Sequence, residues 1–181
     1  MASLRKASSY SKKRARPYTR VSKSKSKSYI KQVPHNKIVK YNLGNTEAFY
    51  AGKLKYIVRL IAGERSQIRD NSLESCRLLI NKVLEKKAPK QFYFIVKVYP
   101  HHLLRNNKTA AGAGADRLSS GMKHSFGIIE GRAAMVRHGT EVFFIACENE
   151  KVAREARNVM NVVKSKIPCK SIIKFEIPSR D

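Results

Sequence analysis

The sequence predicts an α+β domain in which two helices cover a mostly antiparallel sheet, preceded by a basic arm. Three observations lead to this prediction. Thirteen Lys and Arg residues fall in the first 46 positions, and no Asp or Glu occurs before Glu47. Further along, apolar residues alternate or run continuously in short segments that are typical of strands. Two other segments repeat apolar residues every three or four positions, which is typical of helices packed on a sheet.

Residues 1–36 are interpreted as an extended, basic RNA-binding arm. They contain too few large apolar residues to offset the entropy of ordering the backbone. A cationic segment without acidic partners becomes ordered against a dense anion, and nucleic acid carries one charge per phosphate. Tyr10, Tyr18 and Tyr29 lie among the cations, and tyrosine stacks on unpaired bases. The arm residues predicted to contact RNA are Arg5, Lys12, Lys13, Arg14, Arg16, Tyr18, Arg20, Lys23, Lys25 and Lys27.

The positive charge extends beyond the arm. The 181 residues carry a formal net charge of +25, and residues 47–181 still hold 25 Lys and Arg against 13 acidic residues. An excess spread over the whole chain indicates a bound polyanion. It weighs against two simpler interpretations of the arm, a solvated basic tail and a localisation signal. Repulsion among so many positive charges would weaken a free monomer, which also predicts a protein that works inside a complex.

The folded domain is expected over residues 37–181, and short strands begin it. The segments 37–41 and 47–50 are predicted as strands separated by a turn at 42–45. Residues 54–62 combine alternation with β-branched side chains, which predicts a longer strand.

Two helices are expected from apolar residues that share one face. The first is capped by Ser66 or Asp70 and runs to about Lys87. Its predicted buried face consists of Leu73, Cys76, Ile80, Val83 and Leu84. The second follows Asn149 and covers roughly residues 150–165. Its predicted buried stripe consists of Val152, Ala156, Val159, Met160 and Val163.

The remaining strands surround the second helix in the sequence. Residues 92–99 form a nearly continuous apolar run, which predicts a central strand covered on both faces. Three further strands are predicted at 126–129, 132–138 and 141–147, separated by glycines. Alternation at 170–177 predicts the last strand.

Residues 105–121 lose all apolar periodicity, which predicts a long loop of functional importance. Gly112 and Gly114 let a backbone approach a ligand closely. No Gly-Lys-Ser/Thr follows and no apolar strand leads straight into the glycines, so neither a P-loop nor a dinucleotide fingerprint is present. The charge of the loop favours RNA contact, and a flexible surface loop is the alternative. The cations of this loop are Arg105, Lys108 and Arg117.

Asp116, Ser119 or Ser120, and His124 offer the residue types of a hydrolytic triad. No nucleophile-elbow pattern surrounds them, and the few acidic residues of the chain are scattered. A free-standing nucleic-acid enzyme is therefore the weaker hypothesis, and we expect neither catalysis nor a cofactor.

His101 and His102 are adjacent in the sequence, so on a strand their side chains point to opposite faces. No Cys or carboxylate stands nearby, and RNA contact is favoured over a metal site. The chain has three widely spaced cysteines, which predicts small core residues in a reducing compartment.

Basic residues also interrupt the apolar strands, namely Lys97, Arg132, Arg137 and His138. On one exposed sheet face they would form a basic platform for RNA, and ordinary solvated strand residues are the alternative. An architectural DNA-binding protein would instead need a helix rich in base-reading Arg, which neither predicted helix provides. No apolar run reaches 18 residues, and the start has no signal-peptide core, so no membrane partner is expected.

Several motifs resemble one family, the archaeal and eukaryotic large-subunit ribosomal protein L-ten-e, whose bacterial counterpart is L-sixteen. They are Val-Tyr-Pro-His-His at 98–102, Ala-Gly-Ala-Asp-Arg-Leu-Ser-Ser-Gly-Met at 113–122, Phe-Gly at 126–127, and Gly-Arg-Ala-Ala-Met-Val-Arg at 131–137. The segment Val-Pro-His-Asn-Lys-Ile at 33–38 also resembles the basic start of that family. The archaeal form is the most similar.

The resemblance implies a hammerhead-type ribosomal α+β fold and a place within the cytoplasmic ribosome. It implies binding to large-subunit rRNA near the aminoacyl-tRNA site and the 5S rRNA region, beside neighbouring ribosomal proteins and without a small-molecule substrate. The loop at 105–121 is then expected to reach toward tRNA and the peptidyl transferase centre. Its tRNA-facing residues would be Arg105, Asn106, Asn107, Lys108, Gly112, Gly114, Asp116 and Arg117.

Overall fold

Two antiparallel sheets form the framework of the computed structural model, which describes Ser11 and residues 16–106 and 127–176. The five-stranded sheet has the order β1 (Asn42–Gly44), β4 (Phe92–Val96), β7 (Glu141–Cys147), β2 (Tyr56–Ala62) and β8 (Ser171–Glu176). The three-stranded sheet has the order β3 (Ser66–Arg69), β6 (Ile128–Val136) and β5 (His102–Asn106). All strand pairs among the described residues are antiparallel.

The described residues form three α-helices and one 3₁₀ turn. The helices are α1 (Thr46–Tyr50), α2 (Asp70–Lys87) and α3 (Glu150–Lys164), and the turn is Lys25–Lys27. An acidic residue begins each long helix and lysines end it, which complements the helix dipole. None of the helices in the described ranges has the length and apolar character needed to cross a membrane. The α+β prediction is confirmed.

The main core lies between the two long helices and one face of the five-stranded sheet. Strand side chains alternate between faces, so every second residue of β2, β4 and β7 points into this core. These residues include Val58, Leu60, Phe92, Phe94, Phe143 and Ile145. The predicted stripe of α3 is buried throughout, and that of α2 is buried except for the half-buried Val83.

The opposite face of the same sheet carries a smaller cluster under α1. Leu54, Tyr93 and Phe144 are buried there. Phe49 of α1 stacks on Tyr93 with ring centroids 4.5 Å apart and meets Phe144 edge-on at 5.9 Å. The strand β4 is therefore covered on both faces, as its continuous apolar run predicts.

The predictions for residues 37–50 are wrong. Residues 37–41 form no strand, whereas β1 falls inside the expected turn. Residues 47–50 belong to α1, because the side-chain oxygen of Asn45 accepts a 2.9 Å hydrogen bond from the Ala48 N–H and caps the helix. A side-chain cap thus outweighs a weak strand pattern in this short segment.

The second half of the domain differs from the predictions in pairing. Gly131 does not end a strand, because β6 runs continuously past it and pairs Gly131 with Leu104. Arg105 and Asn106, which composition assigned to the loop, continue β5 instead. The predicted single sheet is consequently divided into two, since β3, β5 and β6 pair only with one another in the described part of the chain.

Candidate nucleic-acid interface

The basic arm is attached to the three-stranded sheet through Tyr18. Its main-chain N–H donates to Nδ1 of His102 at 2.8 Å, and its carbonyl accepts from the Leu103 N–H at 3.1 Å. These two bonds join Tyr18 to β5, which is an edge strand of the three-stranded sheet. The arm is therefore held by the domain at a defined position.

Beyond Tyr18 the arm folds back on itself. The Ile30 N–H donates to the Arg20 carbonyl at 3.2 Å. The Ser28 hydroxyl donates to the Ile30 carbonyl at 2.5 Å and accepts from the Ser22 N–H at 3.3 Å. Ser28 and Ile30 are only 4% and 2% exposed. The described arm is thus a returning segment and not extended throughout, contrary to the sequence interpretation.

The predicted lysine run lies at the tip of this returning segment. Lys23, Lys25 and Lys27 are exposed, and two of them form the ends of the 3₁₀ turn. No acidic side chain precedes Glu47, so the charges of this tip are not neutralised within the arm. The geometry presents three ammonium groups to solvent, which suits contact with phosphates.

A groove of two aromatic rings and three guanidinium groups lies beside the attachment point. The Arg105 guanidinium carbon is 3.9 Å from the Tyr18 ring centroid. Tyr29 meets Tyr18 edge-on, with centroids 5.8 Å apart, and Arg20 lies 6.0 Å from the Tyr29 centroid. We call this the aromatic groove, and it encloses about 430 Å³. Its lining consists of Arg16, Pro17, Tyr18, Thr19, Arg20, Tyr29 and Arg105.

The two adjacent histidines are placed differently. His101 is exposed, and its ring lies 4.5 Å from that of Tyr99. His102 is 7% exposed, and burial, followed by the charge of Arg105, lowers its pKa below the ordinary value. The His102 ring is enclosed and its Nδ1 accepts from the arm, so it is less accessible than His101, and its contact with RNA stays a prediction. His101 stays accessible to a ligand.

The end of the arm is fixed by a second set of contacts. Arg132 Nε donates to the Pro34 carbonyl at 2.6 Å, and its Nη1 donates to the Tyr99 hydroxyl at 3.3 Å. Asn36 donates to the Tyr41 hydroxyl at 2.6 Å. Arg132 is half-buried, and its guanidinium group joins the end of the arm to Tyr99.

The four basic residues expected on one platform do not share a sheet face. Lys97 follows β4, and its ammonium lies 5.2 Å from the Phe144 ring of the five-stranded sheet. Arg132 belongs to the three-stranded sheet. Arg137 and His138 are exposed in the turn between β6 and β7. The single basic platform is therefore wrong, because the strands that carry these residues pair in two separate sheets.

Some predicted residues lie outside the described residues, namely Arg5, Lys12, Lys13, Arg14, Asn107, Lys108, Gly112, Gly114, Asp116 and Arg117. The triad candidates Ser119, Ser120 and His124 lie there too. Asn106 is described, and its amide donates to Glu130 at 3.1 Å beside its strand partner Ile128. The strands that precede and follow residues 107–126 are therefore paired with each other in the three-stranded sheet.

The described residues offer no site for metal or thiol chemistry. No group of three or more His, Cys, Asp or Glu side chains within them could hold a metal ion. Cys76, Cys147 and Cys169 are free and buried. Burial raises the pKa of the Cys76 and Cys147 thiols to about 12, so they are not nucleophilic at neutral pH.

Sequence reasoning placed Tyr29 among the arm cations as a tyrosine that could stack on unpaired bases, and it assigned Arg105 to the loop. The signal for Tyr29 was its position among cations in the arm. Its exposure and its approach to Tyr18 depend on the returning path of the arm, which composition does not encode. In the structure Arg105 belongs to β5, and its side chain lines the aromatic groove.

Comparison with known proteins gives a consistent result. A sequence model of the family described as ribosomal protein L16p/L10e matches residues 14–174. The large ribosomal subunit protein uL16 of Staphylothermus marinus is 40% identical over 174 residues, covering 96% of this chain and 94% of that protein. The protein of the same name from Nanoarchaeum equitans is 38% identical over 170 residues, covering 93% and 90%. That of Methanococcus aeolicus is 43% identical over 150 residues, covering 81% and 84%.

Proposed function

The chain belongs to the ribosomal protein L16p/L10e family, and from this premise we propose that it binds large-subunit rRNA through its basic arm and the aromatic groove. As a member of this family it is a structural constituent of the large ribosomal subunit and not an enzyme. Its partners there are rRNA and other ribosomal proteins.

The proposal rests on where the ion pairs lie among the described residues. Acidic side chains of the domain pair with domain cations, as in Arg59 with Glu176 at 2.9 Å and Lys87 with Glu155 at 2.6 Å. The ion pairs found among the described residues all lie within the domain. The arm cations at residues 16–36 form no ion pair with a described acidic side chain, and a polyanion is the partner that the composition of the arm favours.

The family resemblance implies a finer function for the loop that follows β5. We propose that the loop at 105–121 reaches toward tRNA and the peptidyl transferase centre, close to the 5S rRNA region. The side chain of Arg105 lines the aromatic groove, and Asn106, the last residue of β5, leads to the rest of the loop. Loop and arm would therefore meet RNA on the same side of the three-stranded sheet.

A pair of charge-matched variants tests the RNA-binding proposal. The first replaces Lys23, Lys25 and Lys27 by Gln. The second replaces three exposed helix lysines by Gln and removes the same charge, at Lys82, Lys86 and Lys151. Affinity for a large-subunit rRNA fragment is measured across salt concentrations. If each arm lysine neutralises one phosphate, the slope of log K against log salt falls by about 2–3 in the arm variant.

The helix variant is the control, and its slope should change little. Equal changes in both variants would show that net charge, and not the arm, governs binding. An unchanged slope in the arm variant would remove the lysine tip from the interface. Circular dichroism of both variants checks that the domain remains folded, since none of the six lysines is buried.

A further inference from the structure

We propose that the aromatic groove binds an unpaired RNA base, which stacks on the ring of Tyr29. This inference rests on the proposed RNA-binding function and adds the chemical group that the groove accepts. It starts from the side chain of Tyr29, which is 55% exposed although both of its chain neighbours are buried. The backbone is thus anchored on each side of an aromatic ring that faces outward.

The anchoring holds the backbone in place on each side of the Tyr29 ring. The Ser28 hydroxyl and the Ile30 amide are engaged in hydrogen bonds within the arm. The ring meets Tyr18 edge-on at an interplanar angle of 84°. The Arg20 guanidinium carbon lies over the Tyr29 ring at 6.0 Å from its centroid, which leaves more room against this ring than the 3.9 Å between Arg105 and Tyr18. The low conformational freedom of such a ring favours stacking with an incoming base.

Tyr18 is less suited to this role. Its ring lies under the Arg105 guanidinium at 3.9 Å, so one face is already in a cation–π contact. Its backbone is fixed to β5. Tyr18 and Arg105 therefore form one side of the groove, and the ring of Tyr29 is the surface on which a base would stack.

The charges around the groove fit the flanking phosphates of such a base. Arg16, Arg20 and Arg105 line the groove, and none of its described lining residues is a carboxylate. Guanidinium groups pair with phosphates and also stack on bases. The two tyrosine rings distinguish this groove from a site for free phosphate, which needs convergent polar donors. Bases inside a duplex are stacked on one another, so the groove fits a single-stranded segment or a bulge.

The test uses two short RNA probes of equal length. One is a single-stranded oligonucleotide, and the other carries a tetrahydrofuran abasic spacer at every position. Both present the same phosphates, so their difference in affinity measures the contribution of the bases. Binding to the full chain is measured for the wild type, Tyr29→Ala, Tyr29→Phe and Tyr29→Leu. Tyr50→Ala is the matched control, because Tyr50 is 81% exposed on α1 and does not line the groove.

Tyr29→Ala should weaken binding of the base-containing probe by about 5- to 150-fold, the range of aromatic–base stacking. Its affinity for the abasic probe should not change. Tyr29→Phe should bind both probes like the wild type, because it retains the ring. Tyr29→Leu keeps apolar bulk without a π face and should resemble Tyr29→Ala. Tyr50→Ala should leave both affinities unaltered.

Two outcomes would overturn the inference without affecting the proposed function. One is salt-dependent binding of both probes with no effect of Tyr29→Ala. The other is an equal loss on both probes, which would mean that Tyr29 supports the arm and not a base. Absence of salt-dependent binding by the wild type would instead refute the RNA-binding proposal itself. Thermal unfolding of each variant separates these results from a loss of folding.

Discussion

The main-chain N–H of Tyr18 donates a 2.8 Å hydrogen bond to Nδ1 of the buried His102. A neutral imidazole accepts such a bond only if its proton is on Nε2, whereas a protonated imidazole donates from both nitrogens. The bond therefore requires the neutral ring. Burial lowers the pKa of His102, and the charge of Arg105 acts in the same direction. The attachment of the arm thus depends on the protonation state of one histidine.

Acidification is predicted to loosen the arm. The pKa of His102 in the folded protein lies below the ordinary value of about 6.5, so the unfolded chain takes up the proton first. The stability that this site contributes is fully present above pH ~6.5 and is lost as the pH falls through the folded pKa. The hydrogen bond itself is worth about 1 kcal/mol. Amide exchange at Tyr18 and Leu103, corrected for intrinsic rates, should become faster over this range.

His102→Asn provides the control for this prediction. The Asn side-chain oxygen accepts from the Tyr18 N–H and does not titrate, so the pH dependence of amide exchange at Tyr18 should disappear. An unchanged pH dependence in the variant would assign the effect to another group. The exposed His101 is the nearest other histidine in the sequence, and His101→Asn should leave the profile unaltered.

The sequence predictions are most accurate where residues close in sequence determine the structure, and least accurate where pairing between distant segments determines it. The long helices were predictable because their apolar stripes are local patterns, as for Met160 and Val163 in α3, which begins after its expected cap Asn149. The cap expected at Ser66 or Asp70 is wrong, because Ser66 lies in β3 and Arg69 is the N-cap of α2. The strand β1 was not, because three residues acquire strand structure only by pairing with β4. The division into two sheets likewise depends on pairing between distant segments.

The same distinction separates the correct and the missed predictions for the candidate site. Composition predicted that arm cations such as Lys25 face a polyanion, because charge is a property of the residues themselves. It did not predict that His102 is buried or that Arg105 lies over Tyr18, because these contacts join parts of the chain that are far apart in sequence. Direct contact between RNA and the described arm cations stays a prediction.

Gly44 is predicted to be far less tolerant of substitution than Gly52. Both residues have a positive φ, 87° and 71°, so Ala at either position incurs backbone strain of about 1–2 kcal/mol. At Gly44 an added Cβ would also lie 2.3 Å from the Phe92 carbonyl oxygen, whereas at Gly52 it meets nothing within 4 Å. Urea unfolding should therefore show a clearly larger loss of stability for Gly44→Ala. Equal losses would mean that β1 moves away without cost.

Arg132→Lys is predicted to release the end of the arm while leaving the sheet intact. Lys has one ammonium group in place of the guanidinium that reaches both the Pro34 carbonyl and the Tyr99 hydroxyl. The loss should be about 1 kcal/mol, because the side chain is only half-buried. Amide exchange at Asn36 and Lys37 should accelerate, with β6 unaffected. Arg137→Lys, in the exposed turn, is the matched control, and acceleration in both variants would contradict a specific tether.

The loop at 105–121 is predicted to be needed for full translation and dispensable for folding and docking. Apart from Leu118 and small alanines it has little apolar surface to bury, and the cost of loop closure changes slowly with length. Asn106 and Ile128 remain paired if residues 107–115 are replaced by a short Gly-Ser linker. Incorporation into large subunits and peptide synthesis are measured separately, with Arg137→Gln as a surface control. Incorporation should be normal and synthesis reduced. If neither changes, the functional assignment of the loop is wrong, and if incorporation fails, the loop anchors assembly and does not face tRNA.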